Sequence, residues 1–260
     1  MDCLGEPIAT PNAFGLYLLA KRMKGCTRLA LSGTGADEIL GGYQGLYFGA
    51  SRSLANRTAS EFLHSFMDFD KGNCDPTSLL RPELRIADRL WGLTDAALLR
   101  HSGVRNNVLN QIASFELAFA LPYWELDQAD RIFMSQSIEM RPSFLENRFV
   151  DYCLAIPSHQ KRQKEPLRRA MRRHLPGAIA DRKKVASLST PDSLVKAPWF
   201  VDLVEDVKSS PSDLWDQNAL ASFFSPQTKN RSFDVLYRVV MLHSWLKRHA
   251  SIVSHVSPTK

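Results

Sequence analysis

The chain has 260 residues, 44% of them apolar, which suffices for one large domain or two small ones with a sizeable core. Its net charge of +6 is local: between Lys161 and Lys184 ten Lys or Arg stand against only Glu165 and Asp181, so the charge points to one anionic ligand or partner. No apolar run reaches the roughly 18 residues of a membrane span. The start Met1-Asp2-Cys3-Leu4-Gly5-Glu6-Pro7 is unlike a secretory signal, and Cys3, Cys26, Cys74 and Cys153 form neither a CxxC pair nor a disulfide framework. Reduced thiols in a cytoplasmic protein are expected.

In chain order, Pro11 to Lys24 reads as a helix, with Leu16, Leu19 and Ala20 on one stripe and Gly25 as its stop. Thr27 to Ser32 reads as a short buried strand. A glycine turn and a helix from about Ala36 follow, and Gly41-Gly42 breaks that helix early. Ala59 to Phe69 carries Phe62, Phe66 and Phe69 at helical spacing. Asp95 to His101, Asn106 to Leu121 and Leu126 to Ser137 read as further helices, and Ile138 to Leu145 as a less regular stretch. Helices are expected again over Leu145 to Ile156, Pro166 to His174 and Phe233 to His249. Residues 185–230, rich in Ser, Pro and Asp, read as loop-heavy. One strand cannot make a sheet. A partner chain or a preceding segment is therefore expected to complete it.

The stretch Leu29-Ala30-Leu31-Ser32-Gly33-Thr34-Gly35-Ala36-Asp37-Glu38 runs from that strand through the glycine turn into acidic residues. Such turns present backbone N–H groups at the end of a strand, where α/β sheets bind phosphate-bearing ligands. The plainer reading is a tight connection whose Asp-Glu pair suits a helix N-terminus.

Ser32-Gly33-Thr34-Gly35-Ala36-Asp37-Glu38 with Gly41-Gly42-Tyr43 resembles the second signature of the asparagine synthetase superfamily, S-G-x-G-x-D-E-x-x-G-G-Y, at every fixed position. Glu6-Pro7 is similar to the acidic-Pro segment upstream of it. Asp130-Arg131 with Ser137-Ile138-Glu139-Met140-Arg141 resembles the D-R…S-x-E-x-R block. Phe144-Leu145 fits R-x-P-F-L-D, although Pro142-Ser143 inverts the usual order and Glu146 replaces Asp. Lys164-Glu165-Pro166-Leu167-Arg168 resembles K-x-x-L-R, Leu175-Pro176 with Arg182-Lys183 resembles L-P…R-x-K, and Trp245-Leu246-Lys247 resembles the terminal tryptophan helix. The pyrophosphate loop S-G-G-x-D-S and the glutaminase domain with its cysteine at position 2 have no counterpart; position 2 is Asp2.

The resemblance implies an α/β, helix-rich fold: the C-terminal part of an adenine-nucleotide α-hydrolase-like (ATP-pyrophosphatase) domain with few parallel strands. It implies ATP and Mg2+ as cofactors and ATP-dependent formation of an amide by carboxylate adenylation. Ser32, Gly33, Thr34 and Gly35 would face the nucleotide, Asp37 would hold magnesium, Lys164 would meet the departing pyrophosphate and the amide-forming transition state, and Glu139 would serve the second half-reaction. Asparagine synthetases carry Glu and β-lactam synthetases carry Tyr where this chain has Thr34. A specialised amide, lactam or peptide is therefore the expected product, as in lasso-peptide cyclase relatives. The pyrophosphate loop would come from a second chain or an N-terminal segment.

The residues themselves leave other readings open. Asp37 can simply open a helix, Lys164 can be one solvated lysine among many, and Glu139 can pair with Arg141. The chain can be a degenerate scaffold that binds without catalysing. The basic helix with Arg168, Arg169, Arg172 and Arg173 can be a solvated face, a surface for an acidic peptide substrate or partner, or a nucleic-acid surface, although no aromatics are interleaved with it.

Overall fold

A computed structural model describes residues 2–8, 10–43, 76–85, 108–183, 191–209, 212–225, 228 and 232–250. The expected helices at 59–69 and 95–101 lie outside them. The chain divides into two compact units: Met1–Gly15, Lys71–Arg89 and Ser187–Lys260 form one, Leu16–Asp70 and Leu90–Ala186 the other.

The second unit holds the glycine turn. Helix α1 (Asn12–Met23) enters it and leads through Gly25, at φ 79°, to strand β1 (Leu29–Ser32). After the turn comes the short helix α2 (Ala36–Ile39). Helix α3 (Val108–Phe115) continues into widened π-type turns over Glu116–Leu126 and then into α4 (Asp127–Met134). Pro122 falls between the two helices expected over Asn106–Leu121 and Leu126–Ser137, and a proline within a helix loses its N–H and clashes with the carbonyl four residues back. The wider turns carry the chain past it, and the Asp127 N–H bonds the Pro122 carbonyl.

The stretch Ile138–Leu145 is not irregular. It holds strand β2 (Glu139–Pro142), which pairs in parallel with β1, Leu29 opposite Glu139 and Ser32 opposite Pro142. Its composition hides it, since Glu, Arg and a terminal Pro are poor strand formers. Pro142 is tolerated because it closes the strand. The expected neighbour of β1 is thus within the chain, and among the described residues the sheet is helix-flanked, two-stranded and parallel. Helices α5 (Asn147–Ala155), α6 (Glu165–Met171) and α7 (Gly177–Ala180) follow among the described residues of the unit. Ile39, Leu40 and Cys153 are buried together, with Phe144, Phe149, Val150 and Leu167 packed on them. This cluster seats α2 against α5 and α6.

In the first unit, which resumes at Ser187, the described part of residues 185–230 is far from loop-heavy. It contains α8 (Pro191–Val195), α9 (Pro198–Ser209) and α10 (Gln217–Phe224). Pro198 occupies a first helical position, where its missing N–H costs nothing. Asp216 caps α10, accepting from the Asn218 and Ala219 N–H groups at 3.0 and 2.9 Å. The final helix α11 (Phe233–Arg248) contributes Val235, Tyr237, Val239 and Val240 to a core shared with Phe200, Val207 and Trp215. Among the described residues no helix is long and apolar enough to cross a membrane.

Candidate functional site

The turn after β1 is built by its own side chains. Ser32 Oγ accepts the Thr34 N–H at 3.1 Å and lies 2.7 Å from Thr34 Oγ1. Gly35 has φ 92°, and a Cβ there would run into the Leu145 side chain, so both backbone and space require glycine. Gly33 has nothing within 4 Å of where a Cβ would stand, which leaves the surface over the turn open.

Behind the turn, Asp37 and Glu38 part ways. Glu38 is buried and accepts the Tyr43 hydroxyl at 2.8 Å. Burial first, and the Glu38 charge second, push the Tyr43 phenol far above its ordinary range, which keeps it a donor. Gly41, at φ 61°, folds the chain back, and the Gly42 N–H bonds the Asp37 carbonyl at 2.8 Å. Gly42 therefore lies directly on the Asp37 carboxylate and on Lys164 Cε, with no room for a methyl group.

Asp37 Oδ1 meets Lys164 Nζ at 2.8 Å, both side chains about three-quarters shielded from solvent. The approach is off the hydrogen-bonding direction, so the contact is ionic rather than a directed bond. Two residues 127 positions apart in sequence thus meet at the C-terminal end of β1, where open α/β sheets place their ligands.

Lys164 sits on unusual backbone. Gln163 (φ 56°, ψ 28°) and Lys164 (φ 59°, ψ 32°) are consecutive left-handed residues, and neither is glycine. Such conformations cost roughly 1–2 kcal/mol per residue. They persist only where the surroundings hold them, and they cluster at functional sites. One neighbour is Lys161, only 2% exposed, whose ammonium donates to Asn110 Oδ1 at 3.0 Å. Burial lowers its pKa to about 8 and raises that of the nearby Cys153 thiol.

The other proposed residues are dispersed. Glu139 pairs with Arg141 at 2.9 Å, both more than half exposed. It begins β2 opposite Leu29, so it stands at the N-terminal end of the strand pair and the glycine turn at the other. The structure does not bring Glu139 to Asp37 and Lys164. The basic helix is also less free than its sequence suggests. Arg172 binds Glu165 at 2.8 Å and Asp181 at 2.7 Å and holds both carboxyls below their usual range. Arg168 donates to three backbone carbonyls. With Lys161 and Lys164 already engaged, much of the local positive charge is spent inside the unit.

For magnesium, Asp37 is the one carboxylate that the turn directs at this place, because Glu38 is tied to Tyr43. Magnesium is commonly held by one or two carboxylates plus substrate phosphates. A single aspartate beside an open glycine turn fits that shared arrangement. It does not fit a closed protein cage, and among the described residues no cluster of three His, Cys, Asp or Glu exists.

Sequence reasoning missed the Glu38–Tyr43 bond, the buried Lys161–Asn110 contact and the grip of Arg168. Only the first left a signal, in the Gly-Gly that folds Tyr43 back. The family model for asparagine synthase matches residues 1–247. Asparagine synthetase [glutamine-hydrolyzing] 1 of Bacillus subtilis (strain 168) is 26% identical over 211 residues, covering 69% of this chain and 33% of that protein. The match thus spans about a third of the length of that relative.

Proposed function

The chain belongs to the asparagine synthase family, and from that premise we propose that it forms amides with ATP. A substrate carboxylate oxygen attacks the α-phosphorus of ATP and pyrophosphate leaves. An amine nitrogen then attacks the acyl carbon of the adenylate, AMP leaves, and the nitrogen loses its proton. The observation that carries this reading is the Asp37–Lys164 contact against Gly42, at the mouth of a glycine turn.

The roles follow from that placement. Ser32, Gly33, Thr34 and Gly35 line the nucleotide, and the open space where Gly33 lacks a Cβ allows backbone to approach it. Asp37 holds magnesium together with the phosphates; the ion, when bound, offsets phosphate charge. Lys164 then turns from Asp37 to the departing pyrophosphate, where a fixed ammonium stabilises developing negative charge. Glu139, at the far end of the strand pair, acts in this scheme only on a long acceptor substrate. Thr34 leaves a smaller, less acidic slot than Glu, which favours a specialised amide, lactam or peptide product. A cytoplasmic setting with reduced thiols suits this ATP-dependent chemistry.

The adenine-nucleotide α-hydrolase-like fold also needs a pyrophosphate loop, which we assign to an N-terminal segment or a second chain. The exposed apolar residues of the parallel sheet support this. Leu31 is 74% exposed, although parallel sheets are normally covered on both faces. The test is ATP–pyrophosphate exchange on the purified chain, alone and with that component, across candidate carboxylates. Exchange only in the combined preparation supports a split synthetase. No exchange in either would favour a non-catalytic scaffold, a reading compatible with a Lys164 that already balances Asp37.

A further inference from the structure

We propose that Arg168 is the positioning residue for Lys164: its guanidinium locks the left-handed turn that aims the Lys164 ammonium at Asp37. The inference rests on the reading of Lys164 as the cation that meets the pyrophosphate. The peptide unit joining Gln163 to Lys164 is gripped from both sides. Its carbonyl accepts Arg168 Nε at 2.7 Å, and its N–H donates to the Lys161 carbonyl at 3.0 Å. Nη1 and Nη2 of the same guanidinium reach the Ala180 and Arg182 carbonyls at 2.9 and 2.8 Å. Three carbonyls from two separate segments converge on one planar fork.

The spacing follows from helix geometry. Arg168 lies in α6, four residues after Lys164, and helical side chains lean toward the helix N-terminus. An arginine at this position therefore folds over the two residues that precede the helix. Lys161 forms the second post: its ammonium is buried on Asn110, whose Nδ2 donates to the Leu154 carbonyl at 3.0 Å in α5. The strained pair Gln163–Lys164 spans these two fixed posts. A lysine at 168 would bring its donors to a single point and could not bridge three carbonyls.

The test compares wild type, Arg168→Lys, Arg168→Ala and Arg168→Ala/Gln163→Gly, each as the chain alone and with the segment or second chain to which the pyrophosphate loop is assigned. Two quantities are read: ATP–pyrophosphate exchange, and the rate of Lys164 acetylation by a pulse of acetic anhydride, followed by mass spectrometry with exposed Lys21 as internal reference. Both single variants are expected to acetylate Lys164 at least fivefold faster than wild type. Their exchange kcat should fall tenfold or more, with the KM for ATP changed less than threefold. Gln163→Gly should restore part of the exchange, because glycine adopts positive φ without strain.

Unchanged Lys164 acetylation in folded Arg168→Lys protein overturns the proposal, whatever the activity; if Arg168→Ala fails to fold, Arg168→Lys decides alone. A loss of exchange that Gln163→Gly does not relieve, with acetylation unchanged, also overturns it in favour of a purely structural tie. Should wild type show no exchange while acetylation responds to Arg168, the positioning stands and the catalytic reading of Lys164 fails.

Discussion

At the scale of single residues, the Asp37–Lys164 contact decides the functional reading. Removing Asp37 leaves Lys164 about one-quarter exposed on a flexible stem that can turn its ammonium to solvent, so Asp37→Ala should keep the fold and abolish magnesium-dependent exchange. Circular dichroism beside the exchange assay checks both halves. Lys164→Ala should lower turnover about a hundredfold or more, the usual cost of one preorganised charge. Full activity in both variants would show that the ion contact is only structural. Lys161 makes a prediction of another kind. Its folded pKa of about 8 lies below the ordinary 10.5. Between those values the unfolded chain holds a proton that the folded chain has lost, so stability rises with pH across that window. The full gain is at most about 3 kcal/mol, from 1.36 kcal/mol per unit. Urea unfolding at pH 7.5 and 9.5 should show this slope in wild type and a flatter one in Lys161→Met. Equal slopes would mean that Lys161 keeps its proton in the buried site across this range, with its pKa not lowered by folding.

At the scale of elements, legibility tracked where the information lies. Helix α1, strand β1, helix α5 and helix α11 stood out because propensity, periodicity and punctuation agree locally. The motif from Ser32 to Tyr43 was legible because glycine spacing states backbone demands outright, and Gly35 bears this out with φ 92°. Strand β2 was not, because Glu139, Met140, Arg141 and Pro142 are extended by pairing with β1 rather than by their own preferences. Helices α9 and α10 were hidden by a surrounding richness in Ser, Pro and Asp, although Phe200, Val204 and Val207 repeat at helical spacing. The partners of Arg168 could not be read at all, since carbonyls carry no residue type. The engagement of Arg168 and Arg172 also bears on nucleic acid. A helix with those cations committed should show little affinity for DNA or RNA. Filter binding at low salt is expected to give no more than the weak, salt-sensitive retention of a few exposed cations. Tight retention with a steep salt slope would revive the nucleic-acid reading.

At the scale of the molecule, the parallel pair β1–β2 is, among the described residues, a sheet too small to be stable uncovered. Leu29 and Leu31 alternate along β1 on the exposed side, opposite Glu139 and Arg141 in register. Leu18 and Leu19 on α1 are exposed as well. Such residues stabilise nothing while they face water, and each would contribute about 1.5–3 kcal/mol once covered. Leu31→Lys separates the two states. In the chain alone the substitution should change stability by no more than about 0.5 kcal/mol, as for other exposed sites. With the component that carries the pyrophosphate loop, it forces an ammonium into an apolar contact and forfeits the leucine. Association should then weaken at least tenfold, measured by calorimetric titration, and exchange should fall with the fraction bound while saturating amounts of the component restore it. If Leu31→Lys binds as tightly as wild type, the second half of the nucleotide site reaches Asp37 without covering this sheet, and β1 is an edge that the fold leaves open.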